Sequence, residues 1–485
     1  MLKLNYTFSK CSGVKLNSVN MFDTLKVNLL AIIFLTSTVS ASTHNLDSPE
    51  FKKETSPQTL HTIAKAISSK NIEQDIQTLV SFGTRHTLSD TESETRGIGA
   101  ARRWIKAEFD RISAQCGGCI EVFYQSELIS DESRIPNATE VVSVIAIQKG
   151  ISDPNRYVLM SGDIDSRVSD VMNFTSDSPG ANDNASGVAG TLEAARVLSQ
   201  YQFHGSIVYA ALAGEEQGLF GGRILAEYAK ANNWQLKAVL NNDMIGNIEG
   251  VNGVINNTTA RIFAEGTRQT ETEQEARLRR FTGGEVDSPS RNLARYIDKM
   301  ADQYIENLDT MVIYRLDRFR RGGHHRPFND LGYPGVRIME TNENYTRQHQ
   351  DLRTENDIVY GDTIEGVNFE YAAKLTALNA VSLAGMSWAP KPPTGVSIKG
   401  AVKPSTTLSW SALSKTENPQ LAAYKIYWRL TDEPQWQFSR EVGNVTEFTL
   451  ENVVIDNYFF GVASVSKEGF ESPVVYPGAA GAFGE

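Results

Sequence analysis

The stretch that decides the fold is Ser206-Ile-Val-Tyr-Ala-Ala-Leu-Ala213, followed at once by Gly214-Glu215-Glu216-Gln217-Gly218. So apolar a run predicts a strand that is buried on both faces. Two adjacent carboxylates follow at its carboxyl end, the edge of an open α/β sheet where ligands bind. Neighbouring side chains on an extended chain point in different directions. One carboxylate can therefore hold a metal ion while the other faces a reacting water molecule.

Three further acidic segments occupy the same kind of position. One apolar strand ends at Asp163 and Asp165, another ends at Asp243, and Asp183 precedes a helix with apolar residues on one face. The alternation of strands and helices predicts an α/β fold, with a mostly parallel mixed sheet flanked by helices. Carboxylates gathered at one sheet edge repel each other unless cations lie between them. The pattern therefore predicts a metal site rich in oxygen ligands.

Histidine is the other ligand that a zinc site usually contains. His349 lies in a polar loop after the predicted strand 335–340, at a further strand end, and is the favoured imidazole ligand. His324 and His325 are second candidates. For each of these three residues, an exposed loop histidine is the alternative interpretation.

At these motifs the chain resembles the M28 family of zinc aminopeptidases, over residues 72–388. Asp183-Asn-Ala-Ser-Gly187 matches the family's Asp-Asp-Ala-Ser-Gly, and Glu215-Glu216 matches its paired glutamates. The resemblance implies the three-layer fold of the zinc peptidases. It also implies two divalent ions, with zinc expected and manganese or cobalt as alternatives. The expected reaction is hydrolysis of the N-terminal peptide bond of peptide substrates.

The resemblance also implies a role for each site residue. Asp183 would bridge the two ions, and Glu215 would be the general base that takes a proton from a bridging water. Asp165 would not bind an ion itself but would orient the residues that do. The implied metal ligands are Asp163, Asp183, Glu216, Asp243 and His349.

The chain departs from the family pattern at Asp163, where the family carries a metal-binding histidine. A second departure is the pair His324-His325, where the family often has Asp-His. Asp163 can still bind a divalent cation, and a carboxylate in place of imidazole favours a harder ion such as manganese. His324 as the replacement ligand, or loss of the second ion, are the alternatives.

Two other functions remain open from the sequence. Glutaminyl cyclases share this fold and the glutamate pair, although Ser186-Gly187 after the bridging aspartate fits the peptidases better. A non-catalytic metal- or peptide-binding protein is the second alternative, prompted by Asp163. A serine hydrolase is disfavoured because Ser186 does not lie in a Gly-x-Ser-x-Gly motif.

The first residues predict export. Residues 27–35 form a short apolar core after Lys26, and Val39-Ser-Ala41 supplies a cleavage signal, so residues 1–41 are predicted to be a signal peptide. The apolar run is too short for a stable transmembrane helix. We therefore expect a secreted or periplasmic protein. In that setting Cys116 and Cys119 favour a local disulfide over a redox motif or half of a zinc knuckle.

The sequence predicts two folded parts with short connecting segments. Residues 42–70 form a polar lead-in and residues 71–388 the peptidase domain, in which the charged segment 258–290 is expected to be an insertion or lid. A Pro-rich linker at 389–393 leads to short alternating strands in 394–480. These strands predict a small β-sandwich that resembles a fibronectin type III domain. Its aromatic residues could contact a surface or polymer, or the module could be a spacer.

The overall charge excludes a polyanion-binding protein. The net charge is −11 and no basic patch suits nucleic acid. Residues 315–321 contain four arginines interrupted by Asp317. We interpret this run as loop structure or as a contact for a substrate carboxylate.

Overall fold

The computed structural model describes residues 56–414, 416 and 418–483. The predicted signal peptide and the first part of the predicted lead-in lie outside the described residues. Within the described part of the chain, no helix is long and apolar enough to cross a membrane.

Eight strands of the described chain form one mixed sheet, in the order β1-β2-β4-β3-β5-β8-β6-β7. The strands are β1 (Ile120–Ile129), β2 (Thr139–Gln148), β3 (Asp153–Asp163), β4 (Gly205–Leu212), β5 (Gln235–Asn242), β6 (Thr259–Ala264), β7 (Asp309–Ile313) and β8 (Gly335–Glu340). The four central strands β4, β3, β5 and β8 are parallel to one another. Their carboxyl ends therefore lie at one edge of the sheet.

Helices cover both faces of this sheet. The α-helices of the described residues are α1 (Pro57–Ala66), α2 (Ser69–Ser81), α3 (Gly97–Gln115), α4 (Ser186–Leu198), α5 (Glu215–Gly218), α6 (Phe220–Ala231), α7 (Glu273–Thr282), α8 (Pro289–Tyr304), α9 (His325–Asp330) and α10 (Phe369–Trp388). Val158 and Met160 of β3 belong to one core with residues of α1–α4, α8 and α10, whereas Leu159 belongs to a second core with α6 and α9. Side chains alternate across a strand. The three-layer α/β architecture predicted from the sequence is confirmed.

The described part of the predicted lead-in is folded. Helix α1 lies inside residues 42–70, and its Leu60 and Ile63 are buried in the larger core. The helix packs against α10. The part of this segment that the structure describes therefore belongs to the α/β domain, because its apolar residues recur on one helical face despite its polar composition.

The segment 258–290 differs from the predicted insertion. Its first part is strand β6, which pairs with β8 on one side and β7 on the other. Ala260 and Ile262 are buried there, so this part belongs to the main sheet. The charged helix α7 has no buried residue. No residue of 258–290 is among the described residues that line the site cavity.

The C-terminal region is a separate antiparallel β-sandwich, as predicted. Its strands are β11 (Ser397–Lys399), β12 (Thr406–Ser409), β13 (Leu421–Leu430), β14 (Phe438–Gly443), β15 (Glu447–Leu450) and β16 (Tyr458–Ser466). Two three-stranded sheets, β11-β12-β15 and β14-β13-β16, share one core. Trp410 and Tyr424 are buried in that core. A short hairpin, β9 (Arg353–Glu355) with β10 (Ile358–Tyr360), precedes this region.

The sandwich packs on the α/β domain through buried polar contacts. Asp287, which is fully buried, pairs with Arg295 of α8 at 2.8 Å and with Arg429 of β13 at 2.8 Å. The rings of Trp388 and Phe470 lie 4.9 Å apart between their centroids. The described residues thus belong to one compact unit.

The predicted local disulfide is present. Cys116, which follows α3, is bonded to Cys119 just before β1. The link closes the turn that connects this helix to the edge strand of the sheet.

Candidate metal centre and active site

The acidic residues singled out in the sequence converge at the carboxyl edge of the sheet. Asp163 is the last residue of β3, Asp243 follows β5 directly, and the two glutamates begin the short helix α5 after β4. Asp183 lies in a turn of π-helix before α4, and its peptide bond to Asn184 is cis. Parallel central strands bring these segments together, as expected for an open α/β sheet.

Three side chains form a group that could hold a metal ion. Nε2 of His349 lies 2.9 Å from Oδ2 of Asp183 and 2.8 Å from Oε1 of Glu216. The ligand atoms of the three residues lie within 4.8 Å of one another. Carboxylate and imidazole groups both bind zinc, and a catalytic zinc site has three protein ligands with its fourth position open. The residues present therefore fit one zinc ion.

The protonation of His349 follows from its neighbours. Burial acts to lower its pKa, but the carboxylates of Glu216 and Asp183 outweigh burial and raise it to about 9. A proton on Nε2 thus lies between the two carboxylates, and the guanidinium group of Arg167, 2.6 Å from Nδ1 of His349 and 2.7 Å from Glu216, adds positive charge beside them. Because a metal ion needs the neutral imidazole, ion binding would displace that proton.

Asp183 is fixed by a carboxylate that the sequence did not reveal. The backbone N–H groups of Asn182 and Asp183 donate to Asp362 at 2.9 and 2.7 Å. Burial raises the pKa of Asp362 to about 7. No signal in its local sequence, Tyr360-Gly-Asp362, marks it, because the contact joins residues 180 positions apart in the chain.

Asp165 positions the glutamate pair. Its two carboxylate oxygens accept the backbone N–H of Glu215 at 3.1 Å and of Glu216 at 3.0 Å. The hydroxyl of Thr87 donates to the same carboxylate at 3.1 Å. This buried side chain therefore fixes the backbone of both glutamates. Because Glu216 belongs to the candidate metal group, Asp165 also helps to position that group.

Glu215 faces the cavity beside this group. Burial, and then the nearby carboxylates of Asp243 and Glu216, raise its pKa well above the ordinary value. A carboxyl group with a raised pKa holds a transferred proton more readily than an ordinary one. The geometry and the protonation both suit a general base.

Asp243 is bound to an arginine that the sequence analysis did not single out. Nη2 of Arg337 lies 2.8 Å from Oδ2 of Asp243, while its Nη1 lies 3.3 Å from Asp317 and donates to the carbonyl of Gly322 at 2.8 Å. Arg337 lies in β8 and is fully buried. A charged residue inside so apolar a strand, between Val336 and Ile338, was the one sequence signal for a buried ion pair.

Asp163 is also engaged by protein groups. Its Oδ1 lies 2.6 Å from Nδ1 of His324, and its Oδ2 accepts from Nδ2 of Asn184 at 2.7 Å. All three side chains are buried. Burial raises the pKa of Asp163 to about 8 and lowers that of His324 to about 4. Among the described residues, the candidate metal group contains neither Asp163 nor Asp243.

The donors expected for a second ion therefore do not form an open site. Asp243 faces a guanidinium group and Asp163 faces an imidazole and an amide. Of the five ligands implied by the resemblance, three form the candidate metal group, while Asp243 pairs with Arg337 and Asp163 makes hydrogen bonds to His324 and Asn184. His325, the other candidate, is buried against the carbonyl of Leu316 at 2.8 Å, away from the group.

A cavity of about 420 Å³ opens over the glutamates and the candidate metal group. Its charged lining includes six arginines and four acidic residues of the described chain. These residues are Arg134, Arg167, Arg318, Arg320, Arg321 and Arg326, and Asp183, Glu215, Glu216 and Asp243. The arginine run noted in the sequence thus contributes to the wall of the cavity.

Comparisons with known proteins agree with this architecture. The profile of peptidase family M28 matches residues 143–365. A probable zinc metalloprotease of Leptosphaeria maculans is 44% identical over 419 residues, which cover 86% of this chain and 96% of that protein. A probable zinc metalloprotease of Pyrenophora teres f. teres is 42% identical over 86% of both chains.

Solved structures resemble the fold at lower identity. The crystal structure of the LapA aminopeptidase of Legionella pneumophila superposes with a TM-score of 0.50 and 19% identity, covering 74% of this chain and 80% of that one. At this identity the likeness supports the fold alone. The relatives that are more than 40% identical over most of their length carry the assignment: the chain belongs to peptidase family M28.

Proposed function

We propose that this chain is an exported, zinc-dependent exopeptidase that removes N-terminal residues from peptides. The observation that carries the proposal is the convergence of Asp183, Glu216 and His349 beside Glu215 at the floor of a cavity. The family and the probable zinc metalloproteases among its relatives support zinc as the ion.

The three converging side chains would hold the ion. Zinc bound there would polarise the substrate carbonyl and lower the pKa of a water molecule. Asp183 and Glu216 supply negative charge, and Asp362 and Asp165 fix the backbone from which these two ligands project. This support keeps the ligands in place without rearrangement during the reaction.

Glu215 moves the proton. Its raised pKa suits a carboxylate that takes a proton from the attacking water and then gives it to the nitrogen of the leaving amine. Asp165 acts through Glu215, because it accepts the backbone N–H of that residue at 3.1 Å. We assign Glu215 as the catalytic residue and Asp165 as a positioning residue.

Export is the second part of the proposal. The apolar segment 27–35 with the cleavage signal at 39–41 supports a secreted or periplasmic protein. The bond between Cys116 and Cys119 supports an oxidising compartment, where disulfides persist.

The proposal is tested by incubating the purified chain with short peptides and following the products by mass spectrometry. We expect release of the N-terminal residue, loss of this activity with a chelator, and recovery with zinc. Peptides with an acetylated N-terminus should stay intact.

Other products would identify other reactions. Cleavage of acetylated peptides at the carboxyl end would indicate a carboxypeptidase, and loss of ammonia from peptides with N-terminal glutamine would indicate a glutaminyl cyclase. A zinc-loaded chain that turns over none of these peptides would refute the enzymatic proposal.

A further inference from the structure

A buried guanidinium group lies where the family pattern leads one to expect a second ion. We infer that the chain holds one zinc ion and that Arg337 supplies the positive charge of the second. The inference rests on the proposed zinc site at Asp183, Glu216 and His349.

The charge around Arg337 is already balanced. Its two terminal nitrogens contact Asp243 at 2.8 Å and Asp317 at 3.3 Å, and it also donates to a backbone carbonyl. An arginine cannot be deprotonated in such a site. A divalent ion bound to Asp243 would therefore lie against a permanent positive charge that is fully buried, whereas Arg167, which contacts the proposed zinc ligand Glu216 at 2.7 Å, is partly exposed.

Asp163, the other ligand expected for a second ion, is occupied by neutral protein groups. Both oxygens of Asp163 have a partner, the ring of His324 on one side and the amide of Asn184 on the other. An ion bound to Asp163 would compete with both contacts, and the loss of either one leaves a buried polar group unpaired, which is costly. The replacement of histidine by aspartate in the family motif thus coincides with protein partners on both oxygens of Asp163, although Nε2 of His324 has no hydrogen-bond partner among the described residues.

The test counts zinc in the chain by native mass spectrometry after saturation and removal of free metal. We expect one zinc per wild-type chain, one in Asp163→Asn, and none in His349→Ala. Asparagine keeps the size of Asp163 and replaces one carboxylate oxygen by an amide nitrogen. The wild-type count decides the question even if a variant does not fold.

The outcomes separate this inference from the proposed function. Two zinc ions per wild-type chain, with or without the loss of one of them in Asp163→Asn, would overturn the role of Arg337. The proposed zinc-dependent activity would still stand. A wild-type chain with no zinc would overturn the proposed site, and the inference with it.

The arginines of the cavity carry a second inference, independent of Arg337. We propose that the enzyme prefers substrates with a carboxylate close to the scissile bond. This deepens the proposed function, on which it rests, by naming a substrate class.

Several of these arginines have partners within the protein. Arg318 and Arg321 contact Glu343 at 3.1 and 3.0 Å, and Arg167 contacts Glu216 at 2.7 Å. These three guanidinium groups are therefore largely balanced by carboxylates.

The remaining three line the same cavity and are exposed. Arg134 donates to a backbone carbonyl, Arg326 is 4.0 Å from Asp330, and Arg320 contacts the ring of Phe319. None of the three has a carboxylate closer than 4.0 Å within the part of the chain that the structure describes. A positive wall around a cleft attracts anionic ligands and raises their local concentration.

The positive charge of the cavity arginines would repel the ammonium group of a substrate that carries no carboxylate. Arginine binds a carboxylate through two parallel hydrogen bonds, and such charge-assisted contacts are stronger than neutral ones. A side-chain carboxylate and the free carboxyl terminus of a short peptide offer the same group, and the cavity arginines could bind either one.

The test compares kcat/KM for matched peptides with zinc present. The first pair consists of two amidated tripeptides, one with N-terminal Glu and one with N-terminal Gln. The second pair consists of one neutral tripeptide with a free carboxyl terminus and the same tripeptide with an amidated terminus. We expect the carboxylate member of at least one pair to be preferred roughly tenfold, the size of one charge-assisted hydrogen bond. The pair that responds identifies the source of the carboxylate.

The variants Arg320→Gln and Arg326→Gln should each reduce that preference. Arg111→Gln, an arginine of a surface pair with Glu108 remote in sequence from the cavity residues, is the matched control and should keep it. Equal rates within both pairs, or a preference that survives in both cavity variants, would refute the proposal. Failure to hydrolyse any of the four peptides would instead refute the proposed function.

Discussion

Replacing Arg337 by methionine should destabilise the chain strongly. The substitution keeps an unbranched side chain of similar length but removes the charge and every hydrogen-bond donor. It leaves Asp243 and Asp317, previously 2.8 and 3.3 Å from the guanidinium group, buried without their shared partner. The carbonyl of Gly322 also loses a donor at 2.8 Å.

The expected cost follows from that burial. Removing one partner of a buried ion pair costs about 3–5 kcal/mol, because the other charge stays buried without compensation. Burial already raises the pKa of Asp243 to about 7, so protonation of this carboxyl in the variant limits the cost. A loss of about 3–5 kcal/mol is a large part of the roughly 5–15 kcal/mol that stabilises a typical domain.

Urea unfolding followed by tryptophan fluorescence, with zinc at one fixed concentration, measures this loss. The control is Arg111→Met, a surface arginine paired with Glu108, which should cost at most about 1 kcal/mol. The double variant with Asp243→Asn should lose less than the sum of the two single variants, because the residues are in direct contact. An Arg337→Met chain within about 1 kcal/mol of the wild type would refute the idea that this guanidinium balances the buried carboxylates.

Three further predictions concern the site, the C-terminal sandwich and the pH dependence. Glu215→Gln should keep its zinc but lower kcat by about 10²- to 10⁴-fold, and loss of zinc in this variant would contradict its role as general base. Truncation after Ala389 should lower the urea midpoint or make the chain insoluble, because it removes Arg429 from the buried carboxylate of Asp287 at 2.8 Å; an unchanged midpoint would contradict this packing. Burial raises the pKa of Glu265 from 4.5 to about 8, so the folded state binds more protons in this range. The stability that this protonation provides is present below pH 4.5 and is lost as the pH rises through about 8. Glu265→Gln should flatten that fall in urea unfolding, and an identical slope would contradict the assignment.

Much of the fold could be predicted from local sequence. The buried strands and the acidic residues at their carboxyl ends appear as apolar runs that stop at aspartate or glutamate, which is why β3, β4 and β5 were located correctly. Strand β6 was missed because it is short, contains Arg261 and lies in a charged segment. The periodicity of so few residues does not distinguish a strand from an insertion.

The site was only partly predictable, for a physical reason. His349 could be placed by its position after a strand and by the family resemblance. Arg337 and Asp362 act across long distances in sequence, and their roles depend on which side chains the fold brings opposite them. Asp163 carries a chemically suitable ligand, but the same carboxylate can satisfy an imidazole as well as an ion, and the sequence does not distinguish these partners.

The most direct test of this account is the position of zinc in a crystal of the wild-type chain, measured by anomalous diffraction at the zinc edge. The account predicts a single peak, about 2.0–2.2 Å from a carboxylate oxygen of Asp183, one of Glu216 and Nε2 of His349. A peak between Asp163 and Asp243, or no peak beside His349 in zinc-saturated crystals, would contradict it.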